Sequence, residues 1–70
     1  MDAYDARMVA LARDRALVQV RTGNEWTRGV LIGWRTDTPR RGGRYARVNL
    51  RGRTLTVRQA DILHPDQEPT

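Results

Sequence analysis

The sequence predicts a mainly β fold, a small barrel of four to five antiparallel strands with an N-terminal α-helix and a C-terminal 3₁₀ turn. Three observations lead to this prediction. The apolar period changes from 3.6 to 2 near Ala16, glycine-containing turns separate the alternating segments, and 70 residues suffice for one small core only. We therefore expect a single domain over residues 1–65, followed by a flexible polar tail at 66–70.

The first element is an amphipathic helix over about residues 3–14. Asp2 and Asp5 have the spacing of a capping box, and both carboxylates favour the positive end of the helix dipole. A helix this short is marginal alone, so it must lie against something. Either it closes one end of the barrel, or its apolar side chains form the face of a homodimer or another partner: Tyr4, Met8, Val9 and Leu11.

Two strands are predicted next, over residues 16–22 and 25–35, joined by a turn at Gly23-Asn24. Matching apolar residues across this hairpin sets Val18 opposite Val30 and Ala16 opposite Ile32. That register requires an odd-length loop or a bulge at Gly29, and we favour a bulge or bend; a plain two-residue turn at Gly23-Asn24 would instead set Val18 opposite Gly29. It makes Val30 and Ile32 core residues, on the same side as both tryptophans.

The two tryptophans of the second strand receive different predictions. Trp34 follows the aliphatic run, and we expect its ring in the core. Trp26 lies at the turn, beside Arg28 and near Arg21, where it is only partly buried. Trp26 and Arg28 are therefore candidate contacts for a partner.

A second hairpin is predicted from residues 45–50 and 53–58, which turn at Arg51-Gly52 after an exposed loop at 36–44. Strict alternation gives it an apolar inner side, made of Ala46, Val48, Leu55 and Val57. Its outer side pairs Tyr45 with Arg58, Arg47 with Thr56, and Asn49 with Thr54. A 3₁₀ turn at 59–65 then returns Ile62 and Leu63 to the core.

The charge distribution indicates a polyanionic partner. All thirteen cations are arginine and the net charge is +5, yet no acid occurs between Asp37 and Asp61, where seven arginines fall. Guanidinium groups bind phosphate through paired N–H donors, and an outward tyrosine either stacks on a base or only pairs with Arg58. The predicted nucleic-acid-binding residues are Arg40, Arg41, Arg44, Tyr45, Arg47, Arg51, Arg53 and Arg58.

Catalysis, cofactors and metal binding are not expected. The chain has one histidine, His64, and no cysteine, and its acids are scattered, so it lacks the paired groups that acid–base chemistry or a metal requires. No apolar run approaches the roughly 20 residues that span a bilayer. We expect a cytoplasmic protein without a membrane partner, nucleoid-associated if it binds DNA.

The segments W-T-R-G-V-L-I, A-R-V-N-L-R-G and V-R-Q-A-D-I-L-H-P resemble the pattern of Tudor-type SH3-like barrels, over about residues 16–65. The resemblance implies the barrel fold, to which the helix is an addition. Methyl-reading Tudor domains hold a methylated cation in a cage of aromatic rings, for which Trp26, Trp34 and Tyr45 are the rings at hand. The turn between the third and fourth strands carries arginines instead of further aromatics, and these would repel that ligand.

Two functions follow from the sequence. The first is a small, non-enzymatic protein that binds DNA or RNA, largely through phosphate contacts with the arginine-rich 40–58 surface. The alternative is an adaptor whose basic barrel face docks an acidic protein surface within a larger assembly.

Overall fold

The computed structural model of the protein describes residues 2–36 and 43–64. It is mainly β, with one helix, five strands and a 3₁₀ turn, as predicted. Most of the predicted 36–44 loop and the whole 66–70 tail lie outside the described residues. The elements are α1 (Ala3–Arg13), β1 (Leu17–Thr22), β2 (Glu25–Thr36), β3 (Arg44–Leu50), β4 (Arg53–Arg58), the 3₁₀ turn (Gln59–Asp61) and β5 (Ile62–Leu63).

The five strands form one antiparallel sheet in the order β4-β3-β2-β1-β5. Successive strands from β1 to β4 are neighbours, whereas β5 crosses back after the 3₁₀ turn to pair with β1, placing Ile62 opposite Val20 and Leu63 opposite Gln19. Ile62 is buried and Leu63 is half-buried, so this return supplies part of the core. The arrangement is compatible with a small β-barrel-like fold.

Helix α1 begins at its predicted cap. The side chain of Asp2 accepts a hydrogen bond from the backbone N–H of Asp5 at 2.8 Å, satisfying one of the free donors of the first turn. Met8 and Ala12 are buried in the core, and Tyr4, Val9 and Leu11 pack against it partly buried. The helix therefore packs its buried side chains, Met8 and Ala12, against the core of its own domain.

The predicted register of β1 with β2 is wrong by one residue. Gly23 and Asn24 form a two-residue turn, with Gly23 at φ +65°, which sets Val18 opposite Gly29 and Leu17 opposite Val30. No bulge occurs at Gly29. A side chain on Gly29 would lie 2.6 Å from Val48 Cγ1, so a core residue of β3 already occupies the space that an apolar match to Val18 would need.

The buried face of β2 consequently carries Leu31, which is fully buried, instead of Val30 and Ile32, which are half-buried. The irregularity in β2 lies between Leu31 and Gly33, where Ile32 is the extra residue relative to β3. This bulge reverses the alternation, so Trp34 returns to the inner face. The prediction of Trp34 as a core ring is thus confirmed, although Trp26 does not share its side of the sheet.

The β3–β4 hairpin has the predicted register in all six pairs, from Tyr45–Arg58 to Leu50–Arg53. Both turn residues have positive φ, +53° at Arg51 and +83° at Gly52, which is the pattern of a type I′ turn and matches the twist of the strands. Ala46, Val48 and Val57 are buried on the inner side, and Leu55 packs partly buried against them.

No helix in the described part of the chain is long and apolar enough to cross a membrane.

Candidate nucleic-acid interface

The outer face of β2, β3 and β4 carries a row of two arginines with a tyrosine between them. The strand register sets Arg35 opposite Tyr45 and Tyr45 opposite Arg58, so the three side chains lie side by side across three strands. Arg47 follows Tyr45 two positions along β3, on the same face, between Gly33 and Thr56. We call the surface formed by Arg35, Tyr45, Arg47 and Arg58 the basic face.

No acidic residue of β2, β3 or β4 lies on the basic face; the one acid in these strands, Glu25, is at the far end of β2, opposite Thr22. The remaining outward positions on β3 and β4 are Asn49, Thr54 and Thr56, which are polar and uncharged. The three arginines are exposed and the tyrosine ring is half-buried. Adjacent strands lie roughly 4.8 Å apart, so the two guanidinium groups that flank Tyr45 belong to strands about 10 Å apart.

The structure separates arginines that are paired from those that are available. Among the described residues, Arg21 and Arg44 form ion pairs with carboxylates, whereas no carboxylate pairs with Arg35, Arg47 or Arg58. An exposed guanidinium without an internal anion can exchange water for a phosphate without first breaking a salt bridge.

Arg44, a predicted nucleic-acid contact, binds the helix instead. Its Nε lies 3.0 Å from Asp5 Oδ1, its Nη2 pairs with Asp2 Oδ2, and its guanidinium lies over the ring of Tyr4 at 5.6 Å. The hydrogen bond from the Asp5 N–H holds the pKa of Asp2 below its ordinary value, and the charge of Arg44 acts in the same direction. The carboxylates of Asp2 and Asp5 thus neutralise the charge of Arg44 within the protein.

Asp5 also joins this contact to the core. It is 6% exposed, and Trp34 donates its indole N–H to Asp5 Oδ1 at 2.8 Å. The rings of Trp34 and Tyr4 meet edge to face, with centroids 5.6 Å apart. We call Asp2, Tyr4, Asp5, Trp34 and Arg44 the helix-docking cluster. The sequence identifies the two acids only as helix-capping residues, and nothing in it indicates their link to Trp34 and Arg44.

The other predicted contacts are dispersed. Arg51 lies at the tip of the β3–β4 turn, and Arg53 is paired with Leu50 on the opposite side of the hairpin from Arg47, exposed at the edge of the inner face. Arg40 and Arg41 lie outside the described residues. Arg35 was not predicted as a contact. A prediction of the β2–β3 register, which sets Arg35 opposite Tyr45, would have indicated it.

The predicted partner contact at Trp26 belongs to a different part of the surface. Trp26 is half-buried, and the guanidinium of Arg21 lies 5.9 Å from its ring centroid while donating from Nε to Asp61 Oδ1 at 3.0 Å. These residues line an open recess of about 530 Å³ beside the β1–β2 turn. Arg28 is exposed further along β2, opposite Gln19.

The three rings considered for an aromatic cage do not converge. Trp34 is on the inner face, Tyr45 is on the outer face, and Trp26 is at the far end of β2 from Tyr45. In the described residues, no three His, Cys, Asp or Glu side chains are grouped closely enough to hold a metal ion.

No family model, no curated protein and no solved structure matches this chain.

Proposed function

We propose that the protein is a small nucleic-acid-binding protein that contacts phosphates through the basic face. The observation that carries the proposal is the row Arg35–Tyr45–Arg58, with Arg47 beside it, on strands that present no acid on that side. The helix-docking cluster narrows the predicted interface, because it neutralises Arg44 and leaves three available guanidinium groups on one surface.

The chemistry of this surface favours contacts that carry little sequence information. Guanidinium groups bind phosphate oxygens in pairs, and such contacts position a nucleic acid without reading its bases. Three phosphate contacts would give a slope of about −2.7 for the logarithm of affinity against the logarithm of salt with duplex DNA, and about −2 with a single strand. A small interface of this kind binds weakly and depends strongly on salt.

A kinship in fold with SH3-like barrels of the Tudor type forms part of the proposal. The order β4-β3-β2-β1-β5, in which the strand after the 3₁₀ turn pairs with β1, supports it. The separation of the three rings supports a ligand other than a methylated cation.

The experiment compares two double variants of equal net charge. Arg47→Gln with Arg58→Gln removes two cations from the basic face, and Arg13→Gln with Arg53→Gln removes two from other surfaces. Binding to a short fluorescent oligonucleotide is titrated at low and moderate salt. We expect the first variant to lose at least tenfold in affinity and the second to lose less than threefold; equal losses would show that only net charge matters and refute the assignment of the face.

An acidic protein surface is the competing partner for the same guanidinium groups. The two are separated by purifying the protein with and without nuclease treatment and comparing its absorbance at 260 and 280 nm. Loss of a 260 nm component on nuclease treatment supports the proposal. A single stoichiometric protein retained after nuclease treatment would support the adaptor instead.

A further inference from the structure

The basic face combines its charges with one half-buried aromatic ring, that of Tyr45. Tyr45 is half-buried, and its register partners on both sides, Arg35 and Arg58, are arginines. The register therefore sets one arginine on each side of Tyr45. An aromatic ring offers a flat apolar surface on which a base can stack, and every base has such a face.

The surface next to this ring lacks a side chain at Gly33. Gly33 lies opposite Arg47 and thus diagonally across from Tyr45 on the same face. A Cβ added to Gly33 would come no closer than 3.7 Å to Arg47 Cβ, which is an ordinary contact, so the local packing does not require glycine. Gly29 differs, because a Cβ there would meet Val48 Cγ1 at 2.6 Å. The strand register therefore leaves a position without a side chain diagonally next to Tyr45.

We infer that the basic face is a binding site for single-stranded nucleic acid, in which one unstacked base lies on Tyr45 above Gly33 while Arg35, Arg47 and Arg58 contact neighbouring phosphates. The inference rests on the proposed function and adds to it the strandedness of the ligand. A paired base in a duplex is stacked on both sides and cannot offer its face to the ring, whereas a base in a single strand can.

The test uses the unmodified protein and strands that carry the same phosphates. Affinities are measured for a short single-stranded DNA, for RNA of the same sequence, for the matching DNA duplex, and for a single strand of abasic spacers of equal length. We expect the abasic strand to bind roughly 5- to 140-fold more weakly than the base-bearing single strand, because one stacking contact is lost. The DNA and RNA arms decide which nucleic acid supplies the base.

The outcomes separate this inference from the function on which it rests. Equal binding of the base-bearing and abasic strands would overturn the inference while leaving phosphate binding by the basic face intact. Failure of all four ligands to bind at low salt would overturn both.

Substitutions at Tyr45 and Gly33 test whether the loss of affinity comes from stacking on the Tyr45 ring. Tyr45→Leu is expected to lower affinity for the base-bearing strand by the same factor and to leave the abasic strand unchanged, and Tyr45→Phe, which keeps the ring, is expected to bind normally. Gly33→Val should weaken binding of the base-bearing strand without lowering the melting temperature. If Tyr45→Leu does not fold, the abasic comparison on the unmodified protein still decides. An equal loss for both strands in a folded Tyr45→Leu variant would contradict stacking.

Discussion

Asp5→Ala should be among the most destabilising single substitutions in the helix, because it removes the acceptor at the centre of the helix-docking cluster. Asp5 Oδ1 accepts from the Trp34 indole N–H at 2.8 Å and lies 3.0 Å from Arg44 Nε. In the variant Trp34, which is only 9% exposed, loses the partner of its indole N–H.

The magnitude follows from these two losses. Leaving a buried donor unsatisfied costs about 1–3 kcal/mol. Breaking the contact with Arg44 adds about 1 kcal/mol, and not the larger cost of a fully buried pair, because the Arg44 side chain is 32% exposed and water partly screens it. We expect a total of about 2–4 kcal/mol, out of roughly 3.5–10 kcal/mol for a stable chain of 70 residues.

Chemical denaturation followed by tryptophan fluorescence measures this loss. Asp14→Ala is the matched control, since Asp14 caps the other end of the same helix in an exposed position, and it should change the free energy of unfolding by less than about 0.5 kcal/mol. Asp5→Asn keeps an acceptor for the indole N–H and should cost less than Asp5→Ala. A cost for Asp5→Ala no greater than that of Asp14→Ala would refute the argument.

Three further predictions concern stability. Gly29→Ala should cost about 1–3 kcal/mol in urea denaturation because of its clash with Val48, whereas Gly33→Ala should be tolerated; equal effects would contradict the packing described here. Arg51→Asn should raise the free energy of unfolding by about 0.5–1 kcal/mol, or the melting temperature by several degrees, because asparagine tolerates the positive φ better than arginine; no gain would argue against strain at that turn. The pKa of Asp2 is lower in the folded state than its ordinary 3.8, so its stabilising contribution is complete above that pH and is lost as pH falls through the folded value. Asp2→Asn keeps the cap but should flatten the decline of stability measured between about pH 5 and 2, and an unchanged decline would contradict this.

The β3–β4 hairpin could be predicted residue by residue because its information is local. A two-residue turn at Arg51-Gly52 and strict alternation on both strands leave one register that keeps the apolar side chains together. The helix cap at Asp2 was predictable for the same reason, since the capping hydrogen bond spans three residues.

The β1–β2 register could not be predicted in that way, because a third strand decides it. The space opposite Val18 is left empty by Gly29 and filled by Val48 from β3, so matching the two strands alone favours the wrong pair. The bulge at Ile32 then returns Trp34 to the inner face, and the alternation of apolar residues along β2 does not indicate that bulge.

The residues of the candidate site also differ in whether local sequence information or long-range contacts place them. Tyr45, Arg47 and Arg58 follow from the local hairpin, and their common face was correctly placed. The pairing of Arg44 with two helix carboxylates links residues about forty positions apart in the chain, and the alignment of Arg35 with Tyr45 depends on the position of the bulge. Net charge along the sequence cannot distinguish a paired arginine from an available one.

The most direct test of the central claim is the salt dependence of nucleic-acid binding in matched variants. The affinity for a single-stranded oligonucleotide is measured over a series of salt concentrations for the unmodified protein, for Arg47→Gln and for Arg53→Gln. Arg47→Gln should make the slope of log affinity against log salt shallower by about 0.7, and Arg53→Gln should leave it unchanged. Identical slopes for the two variants, or a larger change for Arg53→Gln, would contradict the claim that the outer face of β2, β3 and β4 binds the polyanion.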